Sequence, residues 1–190
     1  DMADCDVGFS GPGAENSGTG TSVVLITPDA QRTMITDLGI SISLHPDNVD
    51  ETIVKGAKFV YIEGYLWTGE ETKNAAKKLV RLAKQHGIPV DFTLSDAFIV
   101  NSFNDELEEF IKWDIDILFC NEVEALAMAG TEKSDEAFEY LQAICETLFM
   151  TRGEEGAWVG HRSEGKVSVK GYKASAVDTT GAGDLFASGA

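Results

Sequence analysis

From residue 50 onward, apolar positions recur in two alternating rhythms: short β-prone runs, and longer segments in which apolar residues return at helical spacing. The spacing predicts a short helix over 51–56, a strand over 59–63, a long helix over 70–86 stopped by Gly87, and a strand over 89–94. A helix over 104–113, a strand over 115–119, helices over 122–129 and 135–145, and a strand over 147–150 continue the alternation, and residues 157–160 and 166–170 read as an antiparallel edge pair. Upstream, Val23-Val24-Leu25-Ile26-Thr27 and residues 32–38 flank Pro28-Asp29-Ala30-Gln31. In that turn Pro presets φ and Asp bonds its own backbone, so a hairpin is predicted. This order implies an α/β fold, a mainly parallel central sheet flanked by helices, with a small β lid.

Composition narrows the function classes. With 190 residues and 43% hydrophobic content the chain supports one sizeable core, so a single domain over 1–190 is expected, with 18–40 in the lid and 50–190 in the α/β core. The chain opens without an initiator Met and stops at Ala190, about two turns after a glycine-rich run, so it is expected to be incomplete at both ends. A formal charge of -17 repels nucleic acid backbones and anionic membrane surfaces. The densest basic stretch, Lys73, Lys77, Lys78, Arg81 and Lys84, reads as one solvated helix face. Cys5, Cys120 and Cys145 are odd in number and far apart, which argues against a disulfide framework or zinc site and for a reducing cytoplasm. Cys120 and Cys145 read as small core residues. His45, His86 and His161 are scattered and form no triad. No run approaches the length of a bilayer span, and the Gly/Ser/Pro-rich stretch 8–20 reads as a mobile loop.

The chemistry concentrates in Asp178-Thr179-Thr180-Gly181-Ala182-Gly183-Asp184, ahead of a helix-ready run to Ala190. Gly181 and Gly183 let successive N–H groups point one way, and the helix adds its positive dipole end, so an anion is favoured there. Asp184, in the first helical turn, stands where a general base takes a proton from an attacking hydroxyl. An ordinary glycine-rich loop capped by Asp is the alternative, against which the order of the whole heptad argues for phosphoryl transfer. Asn121 and Glu124, three apart at a helix start, share a face and suit a water-clad Mg²⁺, while the same spacing also makes a capping box. Thr151, Gly153 and Gly156 follow a buried strand and suit close approach of a nucleotide, with a plain turn as the competing reading. Ligands of open α/β sheets lie beyond the carboxyl ends of the strands, where Asn121 and Thr151 fall. Asp96 reads as a cleft residue or a turn cap, and Tyr65, Trp67 and Phe98 as pocket walls or core. There is no G-x-x-x-x-G-K-[ST] loop, and the Gly-Ala-Gly run is not a dinucleotide fingerprint.

These residues carry a family resemblance. Asp178 to Asp184 with Phe186 resembles the D-T-x-G-A-G-D-x-F signature of the PfkB/ribokinase family of carbohydrate and nucleoside kinases. Asn121-Glu122-Val123-Glu124 resembles its N-x-x-E motif, and Thr151-Arg152-Gly153-Glu154-Glu155-Gly156 its T-x-G-x-x-G nucleotide loop. Gly18-Thr19-Gly20 through Met34, and Tyr61 through Trp67, are similar to the bacterial adenosine-kinase-like branch. The resemblance implies a ribokinase-like fold and transfer of the γ-phosphate of ATP, with Mg²⁺, to a hydroxyl of a small-molecule nucleoside or sugar, adenosine being the first choice. A sugar kinase of ribose or fructose type and a non-catalytic ribokinase-like binding module are the alternatives. It further implies Asp184 as base, the N–H groups of Gly181, Ala182, Gly183 and Asp184 as anion hole, and Asn121, Thr151, Gly153 and Gly156 as nucleotide contacts. Glu124 with Asn121 would organise Mg²⁺ through water. Asp178 and Thr180 match positions that hold a monovalent cation such as K⁺ in some relatives. Arg32 matches a basic lid residue that folds onto the phosphates, an ordinary exposed turn Arg being the other reading. The edge of the 23–38 hairpin offers pairing to a second copy, a homodimer through the lid.

Overall fold

A computed structural model describes residues 2–9, 18–28 and 32–190. Strands β1 (Thr21–Ile26) and β2 (Arg32–Asp37) form the expected antiparallel ribbon, with Thr21 opposite Asp37 and Ile26 opposite Arg32. Part of the predicted turn, Asp29 to Gln31, and most of the expected loop at 8–20 lie outside the described residues.

The core follows in the predicted order: α1 (Glu51–Gly56), β3 (Val60–Glu63), α2 (Glu70–Gln85), β4 (Val90–Thr93), α3 (Ala97–Asp114), β5 (Ile117–Asn121), α4 (Glu122–Ala129), α5 (Ser134–Ile144), β6 (Thr147–Thr151), β7 (Ala157–His161), β8 (Gly165–Val169) and α6 (Ala182–Gly189). The six core strands lie in the sheet order β3-β4-β5-β6-β7-β8. β3 to β6 are parallel, and β7 and β8 run antiparallel to their neighbours, as the edge pair predicted.

Strand alternation separates two faces. Val60, Ile62, Val90, Phe92, Leu118, Leu148 and Met150 are buried on the face that α2, α4 and α5 cover, and α3 packs on α4 and α5. Trp67 is 2% exposed and stands edge-on to Phe92 and Phe110, with ring centroids 5.4 and 4.6 Å away, so the core reading of this Trp holds. Cys120 and Cys145 are buried and Cys5 is exposed. The opposite face presents Tyr61, Glu63, Thr93, Phe119 and Phe149. α6 meets it through Phe186, whose ring lies 6.2 Å from that of Phe149.

Two expectations change. α3 begins at Ala97, seven residues before the predicted start, and Phe103, at φ -133 and ψ 25, marks a kink between its two halves. The run Phe98-Ile99-Val100 is β-prone in isolation, but burial of Ile99 and Val100 outweighs that propensity, and the Asp96 carboxylate caps the helix by accepting from Phe98 N at 2.7 Å. Asp96 is therefore a helix cap, and Phe98 is exposed rather than packed in a core. The basic stripe on α2 is also less free than expected. Lys73 pairs with Glu70 and Glu106, Lys84 with Asp116, and Lys78 donates to Pro46 O.

Candidate active site

The carboxyl ends of β3 to β6, the glycine turn before α6 and Met34 of the ribbon enclose a cleft of about 440 Å³. Asn121, Glu124, Thr151, Gly153, Thr180, Gly181, Ala182, Gly183 and Asp184 all line it. Three sequence motifs far apart in the chain thus face one space. Asn121 and Thr151 are register partners at the ends of adjacent parallel strands, which is how two of the motifs come together.

Gly181 has a left-handed backbone, φ 75, as a glycine allows, and turns the chain into α6. The Asp178 carboxylate accepts from Thr180 N at 2.8 Å and so shapes the turn itself. Ala182 N donates to Thr179 O at 3.2 Å, so the expected four-member anion hole is reduced by one. The helical ladder starts with Leu185 N on Gly181 O at 2.9 Å, which leaves the N–H groups of Gly183 and Asp184 without a helical acceptor and pointing out of the helix start. Asp184 is exposed to the cleft.

Asn121 and Glu124 form the capping box that their spacing allows. Glu124 N donates to Asn121 Oδ1 at 2.9 Å, Asn121 N to Glu124 Oε2 at 2.9 Å, and Asn121 Nδ2 to Glu124 Oε1 at 2.7 Å. Glu124 is 5% exposed, and its burial pushes the carboxyl above the ordinary range, with the bond from Asn121 N opposing and the nearby Asp96 charge reinforcing. Each carboxylate oxygen retains acceptor capacity beyond the one bond it takes, so the pair fits Mg²⁺ held through water rather than directly. Among the described residues no group of three or more His, Cys, Asp or Glu side chains forms a direct metal cage.

Gly156 does not line the cleft. Its φ of 100 and the close backbone of β8's end explain it: a Cβ there would lie 2.0 Å from Val169 O and 2.4 Å from Gly171 N. This glycine is a packing requirement of the β-edge, and of the three loop residues singled out in the sequence only Thr151 and Gly153 face the cleft. Arg32 opens β2, and its side chain lies outside the described residues.

The cleft also contains residues the motifs did not reveal: Tyr61, Glu63, Thr93, Ser95, Phe119 and Phe149. Burial and the charge of Asp184 raise the Glu63 carboxyl; burial, then Glu63, raises the Tyr61 phenol. Ser95 holds a positive φ of 69, and its Oγ accepts from Gly64 N at 2.8 Å, locking the β3 and β4 ends together. Tyr65, half exposed, donates to Ser95 O at 3.2 Å and forms a pocket wall. Strand alternation was the available signal, since Tyr61 and Glu63 stand opposite the buried Val60 and Ile62 at a carboxyl strand end.

A mostly parallel α/β sheet with a β ribbon over its carboxyl edge defines the ribokinase-like class. The chain belongs to the pfkB family of carbohydrate kinases, whose sequence model matches residues 4–190. It is 33% identical over 186 residues to the adenosine kinase of Saccharomyces cerevisiae, covering 90% of this chain and 54% of that protein. The guanosine-inosine kinase of Escherichia coli is 26% identical over 158 residues, covering 80% and 36%. The crystal structure of adenosine kinase from Sinorhizobium meliloti superimposes with a TM-score of 0.95 at 37% identity, covering 99% of this chain and 58% of that one. Anopheles gambiae adenosine kinase, solved with P1,P4-di(adenosine-5) tetraphosphate, has a TM-score of 0.81 at 27% identity, covering 91% and 55%. The chain spans about half the length of most of these relatives.

Proposed function

We propose that the full-length protein transfers the γ-phosphate of ATP to a hydroxyl of a nucleoside, adenosine being the first candidate. The observation that carries this is the convergence of the Asp184 turn, the Asn121–Glu124 box and the Thr151–Gly153 loop on one cleft. In this reading the acceptor hydroxyl gives its proton to the Asp184 carboxylate as its oxygen bonds to the γ-phosphorus and the bond to the β-phosphate oxygen breaks, releasing ADP. The free N–H groups of Gly183 and Asp184 hold the oxygens of the phosphoryl group in transit. Thr151 and Gly153 receive the nucleotide, and Glu124 with Asn121 would hold Mg²⁺ through water. Bound Mg²⁺ supplies neutralisation of phosphate charge. Glu63, Thr93 and Ser95 offer acceptor oxygens, and Tyr61 and Tyr65 flat faces, for a hydroxylated substrate between the sheet and Met34 of the lid. Asp178 and Thr180 belong to a K⁺ site in this reading, and the absence of rate stimulation by K⁺ over Na⁺ removes it.

The test is ATP- and Mg²⁺-dependent ADP release by the full-length protein against adenosine, inosine, guanosine, ribose and fructose. Selective turnover of a nucleoside supports the proposal, preference for a free sugar replaces the substrate, and nucleotide binding without turnover points to the binding module. Two narrower expectations belong with it. Glu124→Gln keeps most of the capping box but removes the charge, so the Mg²⁺ concentration giving half-maximal rate rises about tenfold or more; an unchanged Mg²⁺ dependence would leave Glu124 a cap alone. The ribbon exposes Val23, Leu25, Met34 and Ile35, a surface suited to the same ribbon of a second copy. Sedimentation as a dimer supports that pairing, and a monomer at micromolar concentration rules it out. No helix among the described residues is long and apolar enough to cross a membrane, and we place the protein in the cytoplasm.

A further inference from the structure

Immediately after each of the register partners Asn121 and Thr151 comes one member of an ion pair. Arg152 Nε donates to Glu122 Oε1 at 2.9 Å, joining the start of α4 to the loop that leaves β6. Both side chains are largely withdrawn from solvent, 31% exposed for Glu122 and 17% for Arg152. Neither lines the cleft.

The pair is held on several sides. Ser134 Oγ, at the start of α5, donates to the same Glu122 oxygen at 2.6 Å. This bond and the Arg152 guanidinium hold the Glu122 carboxyl below its ordinary range against a smaller opposing effect of burial. The guanidinium also pairs with Glu155 at 2.7 Å and lies 3.9 Å from the ring centroid of Trp158 on β7. Lys166 of β8 comes within 3.7 Å of that same ring and pairs with Asp135. Arg152 N donates to Gly156 O at 2.8 Å and Glu155 N to Arg152 O at 3.1 Å, so the backbone of the same residue closes the turn that carries Gly153. A planar guanidinium fixed by two carboxylates and a ring has little rotational freedom left, unlike the flexible point charge of a lysine.

The geometry points to Glu122 and Arg152 as a positioning clamp that sets the Asn121–Glu124 box and the Thr151–Gly153 loop at the relative placement nucleotide binding requires. The clamp touches neither nucleotide nor acceptor and acts through the backbone of the residues on either side of it. It sits at the β5 and β6 ends, whereas the acceptor-facing Tyr61 and Glu63 belong to β3, so its loss affects the nucleotide and leaves the acceptor largely untouched. This inference rests on the kinase reading only in taking the bound nucleotide to be ATP.

The experiment is calorimetric titration of MgATP into the full-length protein and its Glu122→Gln, Arg152→Gln, Arg152→Lys and Glu122→Gln/Arg152→Gln variants, with Tm and, where turnover is found, KM for each substrate. Expected is an ATP Kd about five- to tenfold weaker in either single Gln variant, with Tm lowered by no more than about 4 °C. The double variant is no weaker than the worse single one, Arg152→Lys recovers only part of the loss, and the acceptor KM stays within about twofold. Unchanged ATP affinity in both single variants overturns the clamp, as do additive losses in the double variant or equal increases in both KM values. Weakened ATP binding in the variants of a protein that phosphorylates no acceptor upholds the clamp and removes the kinase reading; no ATP binding by the unmodified protein removes both.

Discussion

Asp184→Asn is expected to lower kcat of the full-length protein by about 10²- to 10⁴-fold, while the ATP Kd moves by no more than about threefold. At 1.36 kcal/mol per decade the loss corresponds to about 3–5 kcal/mol of transition-state stabilisation. The two effects separate because the side chain and the backbone of this residue have different tasks. In the proposed mechanism the carboxylate accepts the proton, whereas the N–H groups of Gly183 and Asp184 assigned to the phosphate survive the substitution, since Asn has the same shape and the helical ladder beginning at Leu185 does not involve the side chain. Removing the negative charge also relieves Glu63 and Tyr61, whose ionisation Asp184 disfavours. The Glu63 carboxyl is then expected to titrate at lower pH, nearer its ordinary range, with burial still holding it up. Steady-state rates across pH 5–9 with parallel calorimetry make the comparison, and turnover within tenfold of the unmodified enzyme would rule out Asp184 as the base.

Gly156→Ala is expected to be the most destabilising single methyl in the described chain. The residue needs φ 100 and ψ -129, and an added Cβ would sit 2.0 Å from Val169 O, 2.4 Å from Gly171 N and 2.7 Å from Lys170 C. All three neighbours are backbone, so no side chain can rotate out of the way, and relief requires moving the end of β8 off the β6–β7 turn. Strain and overpacking together cost about 3 kcal/mol or more, a fall in Tm of about 6–12 °C. Gly183→Ala is the control: its φ is ordinary and a Cβ there meets nothing within 4 Å, so its Tm stays within about 2 °C. Thermal unfolding followed by circular dichroism compares the two. If Gly156→Ala left Tm unmoved, the turn could not be built as described, and a ligand role for Gly156 would return.

The contrast between these two glycines shows where reading the chain stopped short. Both stand in motifs that resemble nucleotide-binding loops, and no local pattern distinguishes them. Gly183 opens onto the cleft, whereas Gly156 is pressed against a strand that follows it in the chain, and that approach exists only once β7 and β8 have paired. Asn121 and Glu124 illustrate the converse. Their spacing admitted both a cap and a metal role, and the folded site shows a capping box, with Glu124 buried and Asn121 exposed, that faces the cleft.

Local rules were sufficient wherever the governing interaction is between near neighbours in the chain. Helical and strand periods, the Asn121 cap and the Asp178–Asp184 turn are of this kind, and they placed the parallel sheet, the ribbon and the candidate base. Tertiary structure alone decided what depends on residues distant in sequence: the first turns of α3 through burial of Ile99 and Val100, the entry of Glu63 into the field of Asp184, the exclusion of Gly156 from the cleft, and the Glu122–Arg152 link. Such contacts arise from register between strands and packing between layers. Their energies are set by distances that only the folded chain defines.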